Sequence, residues 1–152
     1  MRRYLWLLTL VMFLVGVYST LAHSSSLSPE LQKTLESSKY IYVQSSRKNG
    51  EMSKAAEIWF MLHNGAVWVC SPPTTHRVKR IKAGKTKAKI FVGKSDGPSF
   101  TAKGSLVKDP AVNNVLFETF AKKYGNDWTS LEKEFRKGLA DGSRTLVRYD
   151  PE

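Results

Sequence analysis

The sequence has few of the residues that stabilise a fold through cross-links or metal ions. Its 152 residues include one cysteine, Cys70, and three histidines. A single thiol excludes an intramolecular disulfide, and these residues show none of the spacings typical of a zinc site. We therefore expect no metal. Cys70 lies in an apolar run, where a buried, inert thiol is the usual outcome.

Motifs of nucleophilic catalysis are also missing. No serine lies in a G-x-S-x-G motif. A single strand cysteine near one histidine, as in Cys70 and His76, is far more often structural than catalytic. The sequence therefore leaves the catalytic residues unknown.

A long hydrophobic run occurs once, at the N-terminus. Arg2 and Arg3 precede an uncharged apolar stretch over residues 4–18, and the small residues Thr20 and Ala22 follow it. This order is typical of a signal peptide, residues 1–22, cleaved before residue 23. An uncleaved membrane anchor is the alternative, although the run is shorter than the roughly 20 residues that span a bilayer. We expect a periplasmic or secreted protein.

Acidic residues are scarce. There are 13 of them against 24 lysines and arginines, which gives a formal net charge of +11. This excess favours anionic partners such as phosphates, nucleic acid or anionic lipid. We expect no nucleic acid, because an exported protein rarely meets it, and membrane contact only through an uncleaved N-terminal segment.

Local patterns predict a chain of short strands interrupted by helices. A short N-terminal helix begins at Ser28-Pro29 and, with its linker, occupies residues 23–39. The remaining residues, 40–152, are expected to form one domain. Six strands are predicted, over residues 40–46, 54–62, 66–71, 86–94, 100–109 and 143–149. Three more helices are predicted, one ending before Gly84 and two over residues 110–124 and 128–140.

The turns between these strands predict antiparallel pairing. Asn49-Gly50 and Asn64-Gly65 are strong hairpin signals, so the first three strands are expected to form a meander. Gly104 marks a bulge or a close approach of the backbone. No strand–helix–strand repeat is present. The fold class is therefore α+β, mainly β, with a six-stranded antiparallel barrel flanked by helices.

The segment SPPTTHRVKRIKAG, residues 71–84, combines a proline loop with a basic helix. Free backbone N–H groups, the hydroxyls of Thr74 and Thr75, and the guanidinium of Arg77 suit a phosphate, with Lys79 or Arg80 as a second charge. A basic surface helix explains the same residues about equally well. Aromatic residues on the preceding strands fit either a planar ring system or the core and a dimer seam.

These elements together resemble a known superfamily. The segment from about Tyr40 to Lys108, with YIYVQSSRKNG, AEIWFMLHNGAVWVCS and PPTTHRVKRIKAGKTKAKIFVG, is similar to the FMN-binding split barrel of the pyridoxamine 5′-phosphate oxidase-like proteins. The resemblance implies a homodimer with the cofactor at its interface. It also implies a strand-end hydroxyl followed by a Ser-Arg-Lys group that holds the FMN phosphate.

Carried onto this chain, the resemblance assigns cofactor-binding roles residue by residue. Ser71 matches the strand-end hydroxyl, Thr75 the serine, and Arg77 the lysine, while Arg80 follows one turn later. His76 replaces the arginine of the oxidases. The strand whose backbone edges the flavin ring is matched by Ile58, Trp59 and Phe60. The candidate cofactor-binding site therefore consists of Ile58, Trp59, Phe60, Ser71, Thr74, Thr75, Arg77, Lys79 and Arg80.

The chain also departs from the oxidases. No counterpart of their C-terminal Arg-x-His is present, so vitamin B6 oxidase activity is not implied. Members of the superfamily use FMN, deazaflavin, heme or no cofactor. The leading hypothesis is an exported FMN-binding protein, a flavin-dependent oxidoreductase of unknown substrate. The alternative is a non-enzymatic exported split barrel whose decayed cofactor site binds an anionic partner.

Overall fold

A computed structural model describes residues 27–152. The predicted signal peptide, residues 1–22, lies outside the described residues. Within the described part, no helix combines the length and the apolar character needed to cross a membrane.

The described chain forms four helices and seven strands. The helices are α1 (Pro29–Ser37), α2 (His76–Lys82), α3 (Pro110–Tyr124) and α4 (Asn126–Asp141). The strands are β1 (Ile41–Ser45), β2 (Ala56–Ile58), β3 (Met61–His63), β4 (Ala66–Ser71), β5 (Lys87–Val92), β6 (Ser99–Val107) and β7 (Thr145–Pro151).

All seven strands belong to one curled antiparallel sheet in the order β2-β1-β5-β6-β7-β4-β3. The predicted α+β fold, an antiparallel split barrel flanked by helices, is confirmed. The strand number differs from the predicted six because the segment over residues 54–62 forms two strands, β2 and β3. These strands lie at opposite edges of the sheet, so the chain between them joins the two edges.

The predicted three-stranded meander over residues 40–71 is wrong. β2 pairs with β1, with Ile58 opposite Ile41, whereas β3 pairs with β4, with Met61 opposite Trp68. Trp59 and Phe60 carry the chain from one edge to the other. The two predicted hairpins are present on either side of this crossing.

Two clusters of apolar side chains form the core. The first fills the concave side of the sheet and includes Ile41, Val67, Ile90 and Tyr149, with Leu35 of α1. The second lies between the outer face of β3, β4 and β7 and the helices α3 and α4. It is rich in aromatic residues, and its members include Trp68, Phe117, Phe120, Trp128 and Phe135.

Two side chains at the end of α3 form hydrogen bonds with the backbone at the crossing. The Tyr124 hydroxyl accepts from the Phe60 N–H (2.9 Å) and donates towards the carbonyls of Phe60 (3.2 Å) and Lys39 (3.0 Å). Lys123 Nζ donates to the Phe60 carbonyl (3.3 Å) and lies 3.3 Å from the centre of the Phe60 ring. Since Phe60 is fully buried, these side chains satisfy backbone groups that no strand partner reaches.

Gly104 is a point of close approach, one of the two outcomes predicted for it, and the element that approaches is α2. A β-carbon at this position would come within 2.9 Å of Ile81 Cδ1 and 3.0 Å of Tyr149 Cε1. Because Gly104 has no side chain, Ile81 of α2 can pack directly against this strand, next to the ring of Tyr149.

Replacing Tyr124 with phenylalanine should destabilise the protein, because the buried Phe60 N–H loses its acceptor. We expect a loss of about 1–3 kcal/mol in the free energy of unfolding, measured by denaturant titration. Tyr42→Phe is the matched control, since its hydroxyl bonds the exposed Glu57 and should change stability by no more than about 0.5 kcal/mol. Equal losses in the two variants would show that the crossing does not depend on Tyr124.

Candidate functional site

Two neighbouring clefts lie against the start of α2. The first, here called the basic chamber, has a volume of about 470 Å³, and it is lined by Val43, Ser45, Arg47, Ser53, Lys54, Ala56, Thr75, His76, Arg77 and Arg80. The second, the aromatic chamber, has a volume of about 290 Å³, and it is lined by Ile58, Trp59, Cys70, Ser71, Pro72, Thr75, Arg77, Phe120, Leu131, Phe135 and Arg144. Thr75 and Arg77 line both chambers.

The local sequence places these two shared residues. Pro72 and Pro73 stop β4 after Ser71, because proline cannot donate to a strand ladder. Both the N–H and the hydroxyl of Thr75 then donate to the Pro72 carbonyl, at 3.1 and 2.9 Å, which closes a tight turn. The helix α2 begins at the next residue, so Arg77 lies in its first turn, between the two chambers.

Arg77 is a half-buried cation with an unused donor. Its Nη1 atom is buried and has no hydrogen-bond partner among the described residues. Burial lowers the pKa of Arg77, and the nearby Tyr149 opposes that effect. The Tyr149 hydroxyl is also buried and has no hydrogen-bond partner within residues 27–152, and burial raises its pKa. A guanidinium nitrogen in such a position fits an anionic acceptor.

The second arginine of α2 is fixed by β1. Arg80 Nη1 donates to Ser45 Oγ at 2.6 Å, and the Ser45 N–H donates to Ser53 Oγ at 3.1 Å. Ser45 is itself buried. This network holds the Arg80 guanidinium in the wall of the basic chamber.

The basic chamber contains cationic side chains without acidic ones. Four of its lining residues are Arg47, Lys54, Arg77 and Arg80, and none of its lining residues is an aspartate or glutamate. None of these four takes part in the ion pairs found within residues 27–152. The chamber therefore has the charge of an anion-binding site.

The aromatic chamber has a stacked and rigid wall. The Trp59 ring lies parallel to that of Tyr124, with 4.1 Å between centroids and 5° between planes, and it forms a T-shaped pair with the ring of Phe120. Arg144 covers the Phe135 ring at 4.0 Å and pairs with Glu134. Flat apolar walls with two guanidinium groups nearby suit a planar ring that carries polar substituents.

The structure brings most of the predicted site residues together. Ile58, Trp59 and Ser71 line the aromatic chamber, and Arg80 lines the basic one. Thr75 and Arg77 line both. Three predicted residues line neither chamber: Thr74 and Lys79 are exposed, and Phe60 is buried in the core. The binding roles of all nine residues stay predictions.

Several lining residues were not predicted from the sequence. Arg47 comes from the loop between β1 and β2, and Lys54 precedes β2. A basic loop next to a predicted hairpin is a weak signal for the first of these. Phe120, Phe135 and Arg144 come from distant elements, and no local pattern links them to residues 58–77.

Cys70 and His76, the cysteine and histidine nearest in sequence, line different chambers. Cys70 lines the aromatic chamber, whereas His76 lines the basic one. Burial raises the pKa of the Cys70 thiol to about 12, although Arg144 has the opposite effect. No cluster of three metal-binding side chains occurs among residues 27–152.

No protein-family model matches this sequence, and no curated protein is significantly similar to it. Solved structures do match it. A Clostridium acetobutylicum protein related to general stress protein 26, of the pyridoxinephosphate oxidase family, is 19% identical with a TM-score of 0.58, covering 81% of this chain and 82% of its own. The heme storage protein HutZ of Vibrio cholerae is 16% identical with a TM-score of 0.57, covering 84% and 91%.

An F420 reductase is also similar, at 16% identity and a TM-score of 0.53, covering 80% of this chain and 92% of its own. These likenesses extend over most of the described residues. They show that the chain has the split-barrel fold of the pyridoxamine 5′-phosphate oxidase-like proteins.

The folded protein should resist thiol alkylation. With a pKa of about 12, only about one Cys70 in ten thousand is a thiolate at pH 8. We expect labelling by iodoacetamide to be at least about a thousandfold slower in the folded than in the denatured protein. Because Cys70 is the only cysteine, the total label measured by mass spectrometry reports on it alone. Comparable rates in the two states would mean that the thiol is exposed and reactive.

Proposed function

We propose that this protein binds FMN, with its phosphate in the basic chamber and its ring in the aromatic chamber, and that it is an exported flavin-dependent oxidoreductase of unknown substrate. The observation that carries the proposal is Arg77. It lines both chambers, it is half-buried, and its Nη1 donor has no partner among the described residues. A ligand with an anionic end and a planar ring matches both sides of this residue.

The donor set fits a phosphate group. Arg77 and Arg80 offer planar forks that match phosphate oxygens. The Thr75 hydroxyl lines the chamber beside them, but its hydrogen is donated to the Pro72 carbonyl. No carboxylate lines the chamber and competes for these donors. Arg80 would reach the phosphate in a fixed orientation, because Ser45 already holds its Nη1 atom.

The aromatic chamber would bind the ring and exclude water from it. Trp59 is held by its stack on Tyr124, so it offers a rigid wall, and Ile58 and Ser71 line the same cleft. A bound flavin supplies hydride or single-electron transfer. The chamber's titratable lining groups are Arg77, Arg144 and Cys70, and the pKa of Cys70 is about 12. The chain would therefore bind, orient and shield the ring rather than move protons.

Similar structures suggest two other cofactors, deazaflavin from the F420 reductase and heme from HutZ. The lining residues favour a flavin or deazaflavin over heme. Heme iron needs an axial histidine, cysteine thiolate, methionine or tyrosinate ligand. The aromatic chamber has no histidine, methionine or tyrosine among its described lining residues, and its one thiol is held protonated.

One observation favours the alternative function, a non-enzymatic module that binds an anionic partner. In the resemblance, the backbone around Ile58, Trp59 and Phe60 edges the flavin ring. Here the N–H and carbonyl of Phe60 are already bonded by Tyr124 and Lys123. Those backbone groups are thus committed to α3, and the basic chamber alone would then carry the binding function.

The cellular setting is part of the same proposal. The N-terminal residues 1–22 support export to the periplasm or outside the cell, by a signal peptide that is either cleaved or kept as an anchor. We further propose a homodimer with the cofactor at its interface. Support comes from the aromatic chamber, which is an open cleft that a second copy could cover.

The proposal predicts that full-length protein incubated with FMN and then desalted keeps a flavin absorbance spectrum. Arg77→Gln should weaken FMN binding by about 10–150-fold, because the variant loses charge-assisted hydrogen bonds worth about 1.5–3 kcal/mol. Lys82→Gln is the matched control, since it removes the same charge from an exposed position in the same helix. Riboflavin, which lacks the phosphate, should lose much less affinity than FMN when Arg77 is replaced by glutamine.

Wild-type protein that retains no FMN would contradict the flavin function and favour the binding module. Retention by Arg77→Gln at the wild-type level would show that the phosphate is held elsewhere.

A further inference from the structure

The basic chamber has more positive charge than one phosphate group would neutralise. Its four cationic residues are Arg47, Lys54, Arg77 and Arg80. A phosphate monoester carries about −1.5 to −2 charges at pH 7. About two positive charges would therefore remain uncompensated within one cleft, and like charges held together raise the free energy of the protein.

Neighbouring acids do not relieve this excess. Glu51 and Glu57 are the acids closest in sequence to Arg47 and Lys54. The Glu51 carboxylate accepts from Asn49 Nδ2 at 2.8 Å, and that of Glu57 accepts from the Tyr42 hydroxyl. Neither lines the chamber. Among the described residues, therefore, no acidic side chain lines the chamber or forms an ion pair with its four cations.

The four cations also lie at two depths. Arg77 and Arg80 form the inner pair: the first has a buried donor, and the second is fixed by Ser45. Arg47 and Lys54 are exposed and form the outer pair, on the loop that joins β1 to β2. That loop is tied by the bridge between Ser46 and Met52 and by the Arg47 N–H, which donates to the Glu51 carbonyl at 2.7 Å.

We infer that the basic chamber binds two linked phosphate groups, so that its ligand class is an organic diphosphate. The inner phosphate lies against Arg77 and Arg80, and the outer phosphate against Arg47 and Lys54. This inference rests on the proposed function, because it extends the phosphate-binding half of that site. It differs in the predicted ligand, since FMN supplies only the inner group.

Isothermal titration of the full-length protein with inorganic phosphate and with pyrophosphate tests the inference, at fixed pH and ionic strength and without divalent cations. Pyrophosphate should bind at least about tenfold more tightly, since the outer pair adds charge-assisted hydrogen bonds. The double variant Arg47→Gln/Lys54→Gln should lose that tenfold preference and keep its affinity for phosphate. Lys48→Gln/Lys103→Gln removes the same charge from exposed positions outside the chamber and should keep the preference.

Equal affinities for the two anions in the wild type, or no binding of either, would overturn the inference. It would also be overturned if both double variants lost the preference alike, because the effect would then be net charge alone. FMN retention without a pyrophosphate preference would leave the proposed function standing and remove the inference. A pyrophosphate preference without FMN retention would contradict FMN as the ligand and would still support a diphosphate in the basic chamber.

Discussion

The rest of the structure depends on the hydrogen bonds that Tyr124 and Lys123 make to Phe60, where the chain crosses between the two edges of the sheet. Two residues carry the chain between the outermost strands of a seven-stranded sheet, so the backbone of Phe60 has no ladder to join. Tyr124 and Lys123 supply the missing hydrogen bonds and thereby fix the end of α3 at this edge. The same placement puts Tyr124 under Trp59, which becomes a wall of the aromatic chamber. The same residue, Tyr124, therefore both bonds the crossing of the sheet and supports a wall of the aromatic chamber.

The contact between Lys123 and Phe60 carries an energetic penalty, the desolvation of the lysine amine. Desolvation lowers the pKa of Lys123 to about 8, below its usual 10.5, while the Phe60 ring beneath the amine favours the charged form. Between these two pKa values the unfolded chain binds more protons than the folded one, so the contribution of this group to stability rises as pH increases through that window. At neutral pH the amine is charged and partly desolvated. Its hydrogen bond to the Phe60 carbonyl offsets only part of that penalty, because the pKa of Lys123 stays below its usual value.

The features predicted correctly from the sequence are those determined by residues close together in the chain. The turn at Asn64-Gly65 and the helix Pro110–Tyr124, which ends before Gly125, are encoded within a few residues, and both are predicted correctly. The break in the predicted strand over residues 54–62 is not predicted, because the apolar pattern of this segment continues across the break. The residue that bonds the backbone there, Tyr124, lies more than sixty residues away. The site divides in the same way. Ser71 to Arg80 form one local motif, whereas Arg47 and Arg144 reach the chambers only through tertiary packing.

Arg77, in the lining of both chambers, and its neighbour Tyr149 carry a local energetic cost. Each has a buried polar atom without a partner among the described residues, an arrangement that proteins generally avoid. Gly104 permits it, since a side chain there would displace Ile81 and the Tyr149 ring and with them α2. A ligand that accepts a hydrogen bond from Arg77 would recover part of this cost as binding free energy. Departures of this kind from local consistency are expected where a fold keeps residues for binding rather than for stability.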